Sequence, residues 1–269
     1  MGTRGAYGVV IGETEKISYG QYDAYPQGKG LDNLRWLREV VEEDYLEQTR
    51  KLAQECRVVS DAKKPTKKDI EHLAPFTNLG VGEQEVTDWY CLTRETQGDI
   101  GAMLGCGYIN DFHAFPLDSL FCEWAYIVDF DCNVFEVYEG FQKELPKAGR
   151  WAGRPTPEED RQNYLDHLEW CADNKREPWQ PKVSDYKAVE LVGSWPLDAL
   201  PSDEEFLDLD PPGELKEQWK WTEYGYEAAK LRNARARVLR KKGYVVKCST
   251  QDFTDLAREK VSVLEAVRS

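Results

Sequence analysis

Residues 122–129 (CEWAYIVD) and 134–138 (VFEVY) are two apolar, β-branched and aromatic runs separated by the turn-forming Phe130-Asp131-Cys132-Asn133. Strand side chains alternate between faces, and the second run alternates apolar with polar residues, so the pair reads as an antiparallel hairpin at the centre of a sheet. A second hairpin is expected at the N-terminus, where residues 5–11 (GAYGVVI) and 16–22 (KISYGQY) flank the turn-like Gly12-Glu13-Thr14-Glu15. Residues 186–193 (YKAVELVG) add a further strand. The fold class that follows is α+β, an antiparallel sheet built from hairpins and covered by helices.

Leu31, Leu34, Leu37 and Val41 recur at helical spacing, and Tyr45, Leu52 and Ala53 carry the pattern past a kink toward Cys56. Thr66 supplies an N-cap hydroxyl and Asp69 a first-turn carboxylate, which predicts a short helix over 66–73. Further helices are expected over 84–91, 97–104 and 157–172, the last opened by Pro157 and the acids at 158–160. Residues 198–214, rich in acids and prolines, read as an exposed connection. The chain is thus expected to comprise an α+β body (1–197), an acidic linker (198–214) and a helical tail (215–269) packed on the body. Within the tail, helices are predicted over 214–242 and 251–267, with a strand at 244–248.

The 269 residues suffice for one large domain or two small ones, and 41% hydrophobic content against 31% charged content indicates a folded chain. Acids outnumber bases by 49 to 35, a net charge of −14, which argues against a surface built to neutralise nucleic-acid phosphates. No stretch approaches the roughly 18 apolar residues that suggest a bilayer span, so the protein is expected to be cytoplasmic, with no membrane partner. The seven cysteines are scattered without a C-x-x-C pair, and reduced thiols with neither metal nor cofactor are expected.

The foremost candidate site is at residues 3–30. Thr3 and Arg4 begin the first strand, and Tyr22, Asp23 and Tyr25 follow the second, so a hairpin brings Arg4 toward Asp23 with the two phenols on the same rim. Arg4 then offers a forked donor and Asp23 a carboxylate or base, while Thr3, Tyr22 and Tyr25 line a pocket for a small polar or anionic ligand. An Arg–Asp pair bracing a tight turn explains the same residues without a ligand. Release of Thr3 as an N-terminal nucleophile would need cleavage beyond Met1 and Gly2.

Three other constellations stand beside it. Asp129 and Asp131 share one face of an extended strand, as metal ligation requires, although a turn selects the same residues. Cys106, His113 and either Asp111 or Asp118 contain the parts of a nucleophilic triad, although a free cysteine is commonly a small core residue. Residues 219–242 combine Trp219, Trp221, Tyr224 and Tyr226 with a basic run that includes Arg235, Arg237 and Arg240. That run suits either a protein or nucleic-acid partner or a solvated face.

Gly2-Thr3-Arg4-Gly5 followed by Tyr22-Asp23-Ala24-Tyr25-Pro26-Gln27-Gly28-Lys29-Gly30 resembles a family of phage, bacterial and fungal proteins that share a Tyr-Asp-x-Tyr-Pro-x-Gly-x-Gly segment. The Glu123-Trp124-Ala125-Tyr126 and Phe135-Glu136-Val137-Tyr138 segments are similar to the same family. The resemblance singles out these segments and implies no particular activity. Two functions are therefore carried forward: a small polar-ligand pocket at the N-terminal hairpin, of hydrolase or transferase type, and an interaction protein that uses 219–242.

Overall fold

The computed structural model describes residues 3–154, 158–176, 186–209, 215–221, 244–252 and 260–268. Along the chain these form β1 (Gly5–Ile11), β2 (Thr14–Gly20), α1 (Leu31–Glu42), α2 (Leu46–Glu55), β3 (Arg57–Val59), α3 (Lys67–Leu73), α4 (Trp89–Leu92) and α5 (Ile100–Cys106). There follow β4 (Tyr108–Asn110), β5 (Trp124–Asp129), β6 (Val134–Glu139), α6 (Glu158–Asp173), β7 (Glu190–Pro196) and α7 (Asp203–Leu207). The last elements are β8 (Leu215–Trp221), β9 (Tyr244–Asp252) and β10 (Lys260–Arg268). The chain divides into two compact units, Met1–Leu209 and Asp210–Ser269. Among the described residues, no helix is long and apolar enough to cross a membrane.

The first unit is a mixed α+β structure around a mostly antiparallel five-stranded sheet of order β2-β1-β5-β6-β7. β1 pairs antiparallel with β2 but parallel with β5, which joins the first strand pair to the second. The tips of the two pairs are tied together. Gly12 and Glu13 adopt φ of +58° and +61°, as a tight two-residue hairpin turn requires. Their amides donate to the Asp131 carboxylate at 2.9 and 2.8 Å.

Alternation along β1 and β5 separates two cores. Tyr7, Val9, Tyr126 and Val128 face Leu34 and Leu37 of α1, Met103 and Leu104 of α5 and Phe206 of α7. Ala6, Val10, Ala125 and Ile127 face Trp151, Ala188 and Val189, so irregular chain contributes to the opposite layer. Lys16 of β2 is buried with no carboxylate partner among the described residues: its Nζ donates to the carbonyls of Ala53, Gln54 and Cys56 at 2.8, 3.0 and 2.7 Å. A cation there satisfies the bare carbonyls and dipole at the end of α2.

Several sequence expectations need correction. The kink expected within 31–56 falls at Asp44, whose φ is +58°, and is a full break between α1 and α2. Over 84–91 only the one-turn α4 forms. Residues 198–209 are not the unpacked connection their composition suggested, because Asp203–Leu207 form α7 and Phe206 is fully buried, while 210–214 of that expected connection lie outside the described residues. Ser202 caps that helix, and Arg35 and Arg38 hold Asp203 at 2.7 and 2.5 Å, drawing an acidic segment against α1. The tail, expected to be helical, contains instead a three-stranded antiparallel sheet of order β8-β10-β9. β10 takes much of the stretch expected to be a helix over 251–267; its valines at 261, 263 and 267 favour a pleated surface, and pairing on both sides settles the choice. Residues 222–243 lie outside the described residues, and with them most of the basic aromatic segment.

Candidate functional site

The 23–30 segment is a folded turn built by its own backbone. Asp23 has φ of +55°, and its carbonyl accepts from the Lys29 amide at 2.8 Å. The Tyr25 carbonyl accepts from the amides of Gly28 and Gly30 at 3.0 and 3.2 Å. Its glycines answer to close packing: a Cβ on Gly28 would lie 2.5 Å from the Asp23 carbonyl oxygen, and one on Gly30 would lie 2.6 Å from the Tyr126 hydroxyl. That hydroxyl donates to the Ala24 carbonyl at 2.7 Å, anchoring the turn to the sheet.

The expected site residues meet only in part: the Ala24 amide donates to the Thr3 carbonyl at 3.4 Å, but among the described residues Arg4 and Asp23 form no ion pair. Asp23, Tyr22 and Tyr25 are exposed on this turn. Thr3 is only 2% exposed, and its hydroxyl has no hydrogen-bond partner among the described residues. Arg4 takes Glu123, not Asp23, as its carboxylate neighbour, because the parallel β1–β5 pairing places Glu123 beside it. The Arg4 amide donates to Glu123 Oε1 at 3.2 Å, whereas the guanidinium Nε stays 3.9 Å from that oxygen. The Arg4 guanidinium lies 4.9 Å from the centre of the Phe121 ring and makes no hydrogen bond among the described residues.

Arg4 opens into a cleft of about 500 Å³ between the end of β1, Tyr19 of β2 and the 111–121 loop. Main-chain bonds pin this loop, among them Asp111 N to Val59 O at 2.8 Å, Phe112 N to Ile17 O at 2.8 Å and Ser119 N to Lys187 O at 2.9 Å, and Glu123 N just beyond it donates to Arg4 O at 3.0 Å. Phe112 and Phe115 pack on Tyr19 with ring centres 5.5 and 5.0 Å apart, and with Phe121 they make the walls aromatic. Across the same cleft, Asp111 Oδ1 is 2.8 Å from His113 Nδ1 and accepts from the His113 amide at 3.0 Å. Asp118 also lines the cleft, and its Oδ1 accepts from the Leu120 amide at 3.0 Å.

The cleft therefore unites Arg4 of the first constellation with Asp111, His113 and Asp118 of the third, and leaves out Asp23 and Cys106. Cys106 is buried beside Leu73 and Trp89, and its Sγ donates to the carbonyls of Met103 and Tyr108 at 3.2 and 3.3 Å. Burial pushes this thiol up, away from the reactive thiolate. The triad is thus not assembled. Tyr19, Phe112, Phe115 and Phe121 were not anticipated, although three phenylalanines within ten residues of an otherwise irregular loop are a readable signal of a partly covered apolar surface.

Asp129 and Asp131 also separate. Asp129 Oδ1 accepts from the amides of Asp131 and Cys132, and its Oδ2 takes Arg150 at 2.8 Å. Asp131 turns instead to the first hairpin, and the Glu13 and Gly12 amides hold its carboxyl below the usual range. Among the described residues, no three metal-ligating side chains gather. No protein-family model, curated protein or solved structure matches the chain.

Proposed function

We propose that this protein binds a small anionic ligand with a planar or apolar body in the Arg4 cleft, and that the Asp111–His113 pair acts there as a general base of a hydrolase or transferase. The observation that carries this reading is the Arg4 guanidinium, which opens, with no hydrogen bond among the described residues, into a cleft of about 500 Å³ with aromatic walls. Pockets of this size suit small molecules. A guanidinium offers a forked pair of donors to a carboxylate or phosphate, and the rings cover the ligand body.

The chemistry follows from the tautomer. With Nδ1–H donating to Asp111, the lone pair on His113 Nε2 is left to accept a proton. In hydrolysis, Nε2 takes a proton from water as the water oxygen bonds to the carbonyl carbon or phosphorus. Arg4 stabilises the negative charge that develops, and the proton passes to the departing oxygen as its bond breaks. In a transferase, an acceptor hydroxyl replaces the water.

We also propose that the chain belongs to the family sharing the Tyr-Asp-x-Tyr-Pro-x-Gly-x-Gly segment. The tight packing around Gly28 and Gly30 supports that reading, because it gives those positions a structural reason to be glycine.

Thermal-shift screening of aromatic carboxylates and phosphate monoesters against their neutral counterparts tests the ligand class, since a ligand specific to the folded state raises its stability. Stabilisation by the anionic members, lost in a folded Arg4→Ala variant, is the expected result. An undiminished shift in that variant contradicts the proposal. His113→Ala is expected to keep binding and lose turnover.

A further inference from the structure

The aromatic wall of the cleft continues beyond Tyr19. That ring packs on Phe112 and Phe115 within the cleft, and its centre lies 6.3 Å from the ring of Tyr90. Beyond Tyr90 stands a second arginine. The Arg94 guanidinium lies 5.5 Å from the Tyr90 ring centre and 5.6 Å from that of Tyr22, which is 54% exposed.

Arg94 is fixed in place by neutral groups. Its Nη1 donates to the Tyr90 hydroxyl at 3.3 Å and to Gln97 Oε1, and the Tyr90 hydroxyl donates to Gln21 Oε1 at 3.2 Å. Asp88 orients the support by capping α4, where its Oδ1 accepts from the Tyr90 amide at 2.9 Å. Nε and Nη2 of Arg94 have no hydrogen-bond partner among the described residues, and no carboxylate pairs with it.

That charge state is conspicuous in a chain of 49 acids and 35 bases. Arg35, Arg57 and Arg150 each hold a carboxylate oxygen, at 2.7, 2.7 and 2.6 Å. Among the described residues Arg94 has none, and Arg4 has only Glu123 within ion-pair distance, at 3.9 Å. Both cations act on the one phenol between them: burial first and Tyr90 next push the Tyr19 hydroxyl up, while Arg4 and Arg94 pull it down. Two under-compensated guanidiniums therefore share a continuous aromatic surface.

We propose that Arg94, Tyr22 and Tyr90 form a second anion subsite continuous with the Arg4 cleft across Tyr19, and that the ligand is a nucleoside bearing two separate phosphate groups. This rests on the reading of the Arg4 cleft as a ligand site and deepens it. Each guanidinium takes one phosphate through forked, charge-assisted hydrogen bonds. The tyrosine rings stack on the base, as aromatic side chains do wherever unpaired bases are bound. A polymer is disfavoured, because a net charge of −14 repels a long phosphate backbone.

Titration calorimetry at fixed ionic strength tests the assignment with adenosine, adenosine 5′-monophosphate and adenosine 3′,5′-bisphosphate as probes. The wild type is expected to bind the bisphosphate about tenfold tighter than the monophosphate, the change that about 1.4 kcal/mol produces, and adenosine weakest. Arg94→Gln is expected to erase the preference for the bisphosphate while leaving the monophosphate within about twofold, and Arg4→Ala to weaken both.

A preference that survives Arg94→Gln overturns the second subsite and leaves the Arg4 reading standing. Monophosphate binding unchanged by Arg4→Ala overturns the Arg4 reading itself. Failure of the wild type to bind either nucleotide, or tighter binding of a short oligonucleotide than of the bisphosphate, overturns the nucleoside class. If Arg94→Gln does not fold, Tyr22→Ala removes an exposed ring instead, and unchanged bisphosphate affinity in that variant then rejects the subsite.

Discussion

Arg150 and Arg4 present one guanidinium in two settings. Arg150 is nine-tenths buried and enclosed by carboxylates, with Glu136 at 2.6 Å, Asp129 at 2.8 Å and Glu15 at 3.4 Å. Burial lowers its pKa, but the hydrogen bond to Asp129 and the charge and hydrogen bond of Glu136 prevail and hold it above its ordinary value. Its donors are spent inside the fold. Arg4 is partly exposed and, among the described residues, has only Glu123 within ion-pair distance, at 3.9 Å; it shares its cleft with aromatic rings and with the Asp111 and Asp118 carboxylates, which form no ion pair with it. A cation surrounded by its own counter-ions holds elements together; one left without them is available to something outside the chain.

Removing each cation sharpens the contrast. Arg150→Met leaves Glu136 and Asp129 without their cation and Glu15 with only Arg154, at 3.7 Å, and loss of one partner from a buried ion cluster costs about 3–5 kcal/mol. Chemical denaturation should show that loss, and a variant within about 1 kcal/mol of wild type breaks the distinction. Asp131→Ala, which frees the two amides at the tip of the first hairpin, is expected to cost about 1 kcal/mol, read from the same curves.

Acid should act through related groups. The Thr66 amide, followed by the hydroxyls of Thr66 and Tyr108 and by Arg57, holds the Asp69 carboxyl below its usual range, and the Glu13 and Gly12 amides do the same for Asp131. A carboxyl whose folded pKa is depressed stabilises the fold above its unfolded value near ~4 and loses that contribution as pH falls through the folded value. Stability should therefore be level in these terms from about pH 7 to 5 and decline below about pH 4, with a shallower decline in Asp131→Ala. Arg4→Ala gives the smallest expected change in stability, under about 1 kcal/mol, because a long, partly exposed ion pair contributes little. Its effect belongs to ligand binding.

Much of the framework was legible in local pattern. The alternation of Val134, Phe135, Glu136, Val137 and Tyr138 marked β6, and Thr66 with Asp69 marked the start of α3, where the structure has a full capping box. What local pattern could not carry was pairing. Whether β1 meets β5 in parallel is decided by the packing of distant residues, and that pairing places Glu123, not Asp23, beside Arg4. The tail failed for a related reason: β10 contains residues compatible with a helix until β8 and β9 pair with it. The site was half visible. Arg4, Asp111 and His113 were each noted for their chemistry, but in separate constellations, because their meeting depends on the 111–121 loop bonding to β2 through Phe112.

Calorimetric titration of adenosine 5′-monophosphate into the wild type and Arg4→Ala, with both proteins confirmed to be folded, tests the central claim most directly. The account predicts saturable binding by the wild type and at least about tenfold weaker binding by the variant, at nearly unchanged melting temperature. Equal affinity for the two proteins would contradict it.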